Sequence, residues 1–397
     1  MTLPPPPDPY GSQPPHGGGQ PGGGVSPQWG SQQGGVPPQG FGGGYGPPPQ
    51  GPWGPQQQWA GGPGGQSPKS GRGKWILGGV AVVLAIALAV VITVLVVRPA
   101  DGGGGSGDPT QQNGDSEFAS ADDTGPVNII TEDPTCAPWG RVSREYSASI
   151  ESADWKNRAK DLPATAWTPE QRLVFDSASK SMEKAAGESL RFARDTPSRL
   201  MRQLYQQFNA YSSNYITKLS NYQPADEAVV AVANTLVSVL SSVCSAIQYE
   251  AASAIASLVE GISPTIDNTV PTDVPPVMSL KAGDGECSEL GNIVDAYNQG
   301  TADWQRVDPS VPVREWSTEN RLIYESAEPI MVEAATRFQA VGMQSDSAVV
   351  QDLAFMTAQY IRAYVASLPS YSSADNYLIR VGNFLGGTLE AACAVES

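Results

Sequence analysis

Apolar residues along this chain follow three patterns in turn. Residues 1–74 hold almost no aliphatic side chains: Gly, Pro and Gln dominate, with aromatics scattered at Tyr10, Trp29, Phe41, Tyr45, Trp53 and Trp59. Residues 75–97, WILGGVAVVLAIALAVVITVLVV, are apolar and uncharged throughout. From residue 131 onward, apolar positions recur at helical spacing between short polar stretches. The first pattern buries too little surface to offset chain entropy, so it predicts a disordered tail. At roughly 1.5 Å per residue the second spans a hydrocarbon core of about 30 Å, which predicts one transmembrane helix. The third predicts packed α-helices.

The helical region repeats itself. Residues 152–244 align with 301–393 at a constant offset and without a gap, and roughly a quarter of the positions are identical. Ala153-Asp154-Trp155 matches Ala302-Asp303-Trp304, and WTPEQRLVFDSA from Trp167 matches WSTENRLIYESA from Trp316. Each copy predicts four helices. The first lies within Trp139 to Arg158. The second is opened by Thr168 as N-cap, Pro169 at N1 and Gln171 in capping-box position. Its apolar side is expected to run through Leu173, Ala178, Met182, Ala185 and Ala186. Pro197-Ser198 and Pro224 restart the third and fourth, which carry Leu200, Leu204, Phe208, Tyr211, Tyr215 and Leu219, then Val229, Val232, Leu236, Val239, Leu240 and Val243. About 110 residues suffice for a core, and short connections favour antiparallel neighbours.

Four cysteines allow three pairings. Each copy has one Cys ahead of its first helix and one late in its last, points that share an end in an up-down-up-down bundle. The repeat therefore selects Cys136–Cys244 and Cys287–Cys393. Closing a loop of about 108 residues contributes roughly 4–5 kcal/mol. The predicted layout is a disordered tail (1–74), a transmembrane helix (75–97), a flexible stalk (98–130), helical repeat 1 (131–261), a linker (262–286) and helical repeat 2 (287–397). The fold class is an all-α ectodomain of tandem four-helix bundles, each with one disulfide.

Charge sets the orientation. The net charge is −16, yet the tail, with Asp8 against Lys69, Arg72 and Lys74, is +2, so the rest holds −18. Basic residues before the apolar span place the N-terminus in the cytoplasm and the helical region outside, where cysteines oxidise. An acidic domain repels nucleic acid and anionic lipid.

Candidate chemistry is sparse. The only histidine, His16, is in the tail, which removes a Ser-His-Asp triad from the outer region. HExxH and the P-loop are absent, no CxxC occurs, and no cofactor or metal is expected. Ser177-Ala178-Ser179-Lys180 fits S-x-x-K, but the second copy reads Ser326-Ala327-Glu328-Pro329. The repeated acids each have a local structural reading. Glu170 suits a first helical turn, and Asp176 and Glu325 lie four residues after Arg172 and Arg321, an ion-pair spacing. Among the repeated aromatics and amides, Trp155, Tyr215, Asn234 and their counterparts Trp304, Tyr364 and Asn383 are the candidate interaction residues. Core packing is the competing role for the aromatics, and Asn234 and Asn383 are expected to fix helix register or mark a seam between copies.

The PPPP of Pro4–Pro7, the GGGYGPPPQGPWGP of Gly42–Pro55, the apolar span and the ADW…WTPEQR…LYQQFNAYSSNY…C pattern together resemble the proline- and glycine-rich single-pass membrane proteins of mycobacteria and related actinobacteria. The resemblance implies a cell-envelope location and carries over no catalytic residue. The expected function is a non-enzymatic, membrane-anchored envelope protein. Its outer domain binds a protein or wall component, and its tail meets an unidentified cytoplasmic partner. The alternatives are an envelope hydrolase using carboxylates or the Ser177/Lys180 pair, and a single-pass sensor.

Overall fold

Side-chain caps set the helix boundaries in both copies. The Thr168 hydroxyl accepts a hydrogen bond from the Gln171 backbone N–H while the Gln171 side-chain oxygen accepts one from the Thr168 backbone N–H. Ser198, Ser317 and Ser347 each accept from the backbone N–H three residues on, satisfying donors that the first helical turn leaves open. The computed structural model describes residues 118–266 and 276–395, all within one compact unit. The tail, the apolar span at 75–97, residues 98–117 of the stalk and 267–275 of the linker lie outside the described residues.

The described chain is all-α apart from one isolated β-bridge. Copy 1 comprises α1 (Cys136–Ser152), α2 (Pro169–Asp195), α3 (Arg199–Lys218) and α4 (Glu227–Gln248), followed by the short α5 (Ala251–Ile255). Copy 2 comprises α6 (Asp284–Gly300), α7 (Thr318–Gln344), α8 (Ala348–Ser367) and α9 (Asn376–Cys393). Within each copy successive helices pack side by side and the fourth returns to the first. Disulfides Cys136–Cys244 and Cys287–Cys393 close the two bundles, with Cα–Cα distances of 5.2 and 5.6 Å.

The disulfides span 108 and 106 residues, so copy 1 is two residues longer. The repeat offset changes at the end of α1, just before the ungapped match begins. Just after this point Asp154 adopts a left-handed conformation, φ 53°, whereas its counterpart Asp303 has φ −72°. Asp is among the few residues that tolerate this region, and Asn157 holds it there by donating to its carboxylate.

The copies share a single hydrophobic core. Its seam is α4 against α9, with Tyr249 past the end of α4 stacked on Tyr377 at the start of α9, centroids 5.2 Å apart. The segment Pro224–Gln248 is long and apolar enough to cross a membrane, but 83% of that window is buried inside the protein. It is a core helix covered by its own bundle on one side and by α9 on the other. Glycines bring α9 close to its own bundle: a Cβ on Gly382 would lie 2.7 Å from Ile361, and one on Gly386 2.8 Å from Phe338.

The leads into the two bundles cross over. Val127, ahead of copy 1, pairs with Ile262 in the β-bridge, and Gln359 of α8 donates to the carbonyls of Val127 and Glu260. Ile130 donates its backbone N–H to the Tyr360 hydroxyl, also on α8. In return the lead into copy 2 lies on α3, where Gln207 accepts from the Ser279 backbone and donates to Val277. A buried ion pair joins the bundles at the same place. Arg199 reaches Asp352 through two hydrogen bonds, 2.9 and 3.2 Å, and Gln203 donates to the same carboxylate. The Arg199 guanidinium also donates to the carbonyls of Asp123 and Gly125.

Residues 118–130, expected as part of a flexible stalk, are therefore a packed strap, with Ser120, Val127, Ile129 and Ile130 buried. The expected linker at 262–286 likewise starts inside the β-bridge and ends within α6. Leu173, expected on the core side of α2, is 63% exposed. It sits two residues before Phe175, about 200° away around the helix, and Phe175 takes the core position.

Candidate functional site

The six candidate interaction residues do not form a surface. Trp155, Tyr215, Asn234, Trp304 and Tyr364 are buried, and Asn383 is half-buried. They meet in pairs inside each bundle. Trp155 packs edge-on to Tyr215, and Trp304 to Tyr364, with centroids 6.2 and 5.7 Å apart. Trp304 donates its indole N–H to the Tyr364 hydroxyl at 3.0 Å. Tyr146 of α1 donates to Asn234 of α4 at 2.9 Å. In copy 2 Tyr297 faces Asn383, but without good hydrogen-bond geometry. Asn234 thus ties the fourth helix of copy 1 to its own first helix rather than marking the seam, and Asn383 takes the matching position in copy 2.

Copy 1 carries a polar cluster that copy 2 lacks. Arg158 stacks over Trp155, 4.2 Å from the ring centroid, and forms a buried ion pair with Glu227. The Tyr222 hydroxyl lies 2.8 Å from the Glu227 carboxylate. Burial, with the Glu227 charge adding to it, raises the Tyr222 pKa and keeps its proton in place. The corresponding residues in copy 2 are Val307 and Asn376. An Arg–carboxylate pair of this kind holds two loops to a helix and presents no accessible nucleophile.

The motif WTPEQRL/WSTENRL is wired alike in both copies. The indoles of Trp167 and Trp316 donate to the carbonyls of Leu162 and Val311, at 3.0 and 2.9 Å. Both rings stack face to face on the residue at motif position nine, Phe175 or Tyr324, at 3.8 Å. Arg172 and Arg321 donate to the carbonyls of Ala164 and Val313, at 2.9 and 3.0 Å. The expected ion pairs Arg172–Asp176 and Arg321–Glu325 do not form, because each guanidinium turns back to its loop instead.

That wiring leaves the motif leucine outside the core in both copies. Leu173 and Leu322 point outward, 63% and 60% exposed. Each has an exposed acid three residues before it and three after: Glu170 and Asp176, then Glu319 and Glu325. The Glu170 carboxyl is held below its ordinary pKa by its own backbone N–H and then by the Thr168 hydroxyl, so it is ionised at neutral pH. The sequence signal for this feature was present: a leucine kept in both copies at a position off the core stripe.

Ser177 and Lys180 both lie on the exposed side of α2. No group of His, Cys, Asp or Glu suited to a metal ion occurs among the described residues. One acid is unusual: Glu390 on α9 is half-buried, and burial, followed by the charge of Asp295, pushes its carboxyl up to about 7.

A family model described as "Mycobacterial ESX-1 associated protein" matches residues 118–397, beginning at the strap rather than at α1. An uncharacterized protein of Mycolicibacterium smegmatis (strain MKD8) is 36% identical over 349 residues, which cover 85% of this chain and 90% of the relative. No solved structure matches. With most of its length matched, strap and both bundles included, the chain belongs to the mycobacterial ESX-1 associated protein family.

Proposed function

We propose that this protein is a non-enzymatic, membrane-anchored component of the envelope that binds protein partners in the setting of the ESX-1 secretion system. The apolar span at 75–97 is the anchor, with the Pro/Gly-rich tail in the cytoplasm and the double bundle outside. The single observation that carries the reading is the fate of the repeated motif. Its Trp, Thr or Ser and Arg side chains, and Gln171 in copy 1, bind their own loop or helix, and what the motif offers outward is an acidic and apolar helix face rather than a cleft with a nucleophile.

A body with two bundles fused through one core suits a scaffold, since it presents widely separated faces in fixed relation. Crosslinking of the full chain in intact mycobacterial membranes, followed by identification of the linked proteins, tests the reading. Links to secretion-system components are the expected result. Recovery of the chain joined only to lipid or wall polymer would count against it. Thiol labelling of single Cys residues added at positions 60 and 110 tests the topology: an impermeant reagent should reach the second and not the first in intact cells.

A further inference from the structure

We infer that the two outward acid–leucine–acid faces, Glu170/Leu173/Asp176 on α2 and Glu319/Leu322/Glu325 on α7, are a matched pair of docking surfaces for a basic amphipathic helix of a protein partner. The inference rests on the protein-binding reading above and gives it a location and a partner chemistry. A single exposed leucine means little on a protein surface. Here the same leucine is outward in both copies, 63% and 60% exposed, although only about a quarter of the repeat positions still agree. The retained Trp and Arg bind their own loops and the retained Ala is in the core, whereas the leucine touches neither loop nor core.

The flanking acids define what fits. Residues three apart share a helix face, so each leucine lies between two carboxylates within roughly 9 Å along the axis. None of the four carboxylates forms an ion pair with any described residue. The arginines expected to neutralise two of them are bound to loop carbonyls. A complementary partner sets Lys or Arg around an apolar recess, so that the leucine is buried while the acids pair with the basic side chains.

The two faces are unequal. Beyond Leu322 the α7 face continues with exposed Pro329 and Val332, whereas the α2 face continues with exposed Lys180 and Glu183. Lys180 repels a basic helix, and the extra apolar surface on α7 favours one. The copy 2 face is therefore the tighter site.

The test uses the full chain in mild detergent, titrated with a synthetic Leu/Lys peptide whose leucines fall on one helical face. Two peptides bind per chain, with affinities that fall as salt is added. L322S weakens the tighter site by about tenfold or more, L173S removes the weaker one, and the double variant binds neither. Matching circular-dichroism melts show that the variants fold. A peptide with Glu in place of Lys, or with the same residues in an order that makes no apolar face, does not bind. Undiminished binding by the double variant, no binding by the unaltered chain, or equal binding of either control peptide overturns the inference. So does a sedimentation result in which the unaltered chain is a dimer and the double variant a monomer, because the occupant is then a second copy of this chain. These failures remain distinct from failure of the function itself: partners crosslinked through other faces leave the protein-binding role standing and refute only the surface.

Discussion

A glycine's value in this protein depends on what its missing Cβ would touch. Gly386 abuts Phe338 and Gly382 abuts Ile361, so Gly386→Ala should destabilise by about 1–3 kcal/mol through overpacking. Gly187 lies on the exposed side of α2 with nothing within 4 Å of a built Cβ, and Gly187→Ala should stabilise by about 0.5–1 kcal/mol. Urea titration of the two variants checks both signs. Asp352 is the residue on which Arg199 and Gln203 converge. Asp352→Ala removes the buried partner of Arg199 and leaves it only the partly exposed Asp123 as a charged neighbour, at a cost of about 3 kcal/mol, measurable in the same titration. Glu390 sets a pH dependence. Its folded-state pKa of about 7 exceeds the ordinary value of 4.5, so the native protein holds this proton when the unfolded chain has lost it. Stability therefore falls as pH rises from about 4.5 through about 7. Glu390→Gln should flatten that fall in thermal melts across the range.

At the scale of the element, the disulfides and helix starts share a cause of legibility: each rests on chemistry local to a few residues and stated twice. Thr168 with Gln171, and Ser198 ahead of its helix, cap where their residue types say they should. The cysteine pairing followed from two copies having to solve one problem alike. Replacing Cys136 and Cys244 by Ser should cost about 4–5 kcal/mol from the released loop, read as a lowered urea midpoint with fold retained. What stayed hidden was positional. Leu173 joins the core stripe only if its angle is misjudged, and the true stripe begins at Phe175. The pairing of Trp155 with Tyr215 needs the third dimension, since the residues sit on separate elements with nothing in their spacing to join them. The strap from 118 to 130 has no helical period, and it is ordered by what it lies on: Asp123 by Arg199, Ile130 by Tyr360.

At the scale of the whole molecule, repetition describes the sequence better than it describes the folded body. α4 is apolar on nearly every face and is buried throughout its first three turns, which a single bundle cannot achieve. Copy 1 produced alone, cut after residue 266, should not give a stable monomer: it should associate with itself or precipitate, as sedimentation of the truncated chain will show. Addition of copy 2 as a separate chain should restore a soluble 1:1 complex, because the seam and the Arg199–Asp352 pair need no peptide link between them. The crossing of the leads carries a further consequence. Ile130 and Val127 find partners 230 and 232 residues later in the chain. A polypeptide delivered N-terminus first, from a ribosome or through a membrane channel, has its opening segment waiting until α8 arrives. The earliest-made part of the body is thus among the last to lock, and any factor that guards the nascent chain must hold it until the final third has emerged.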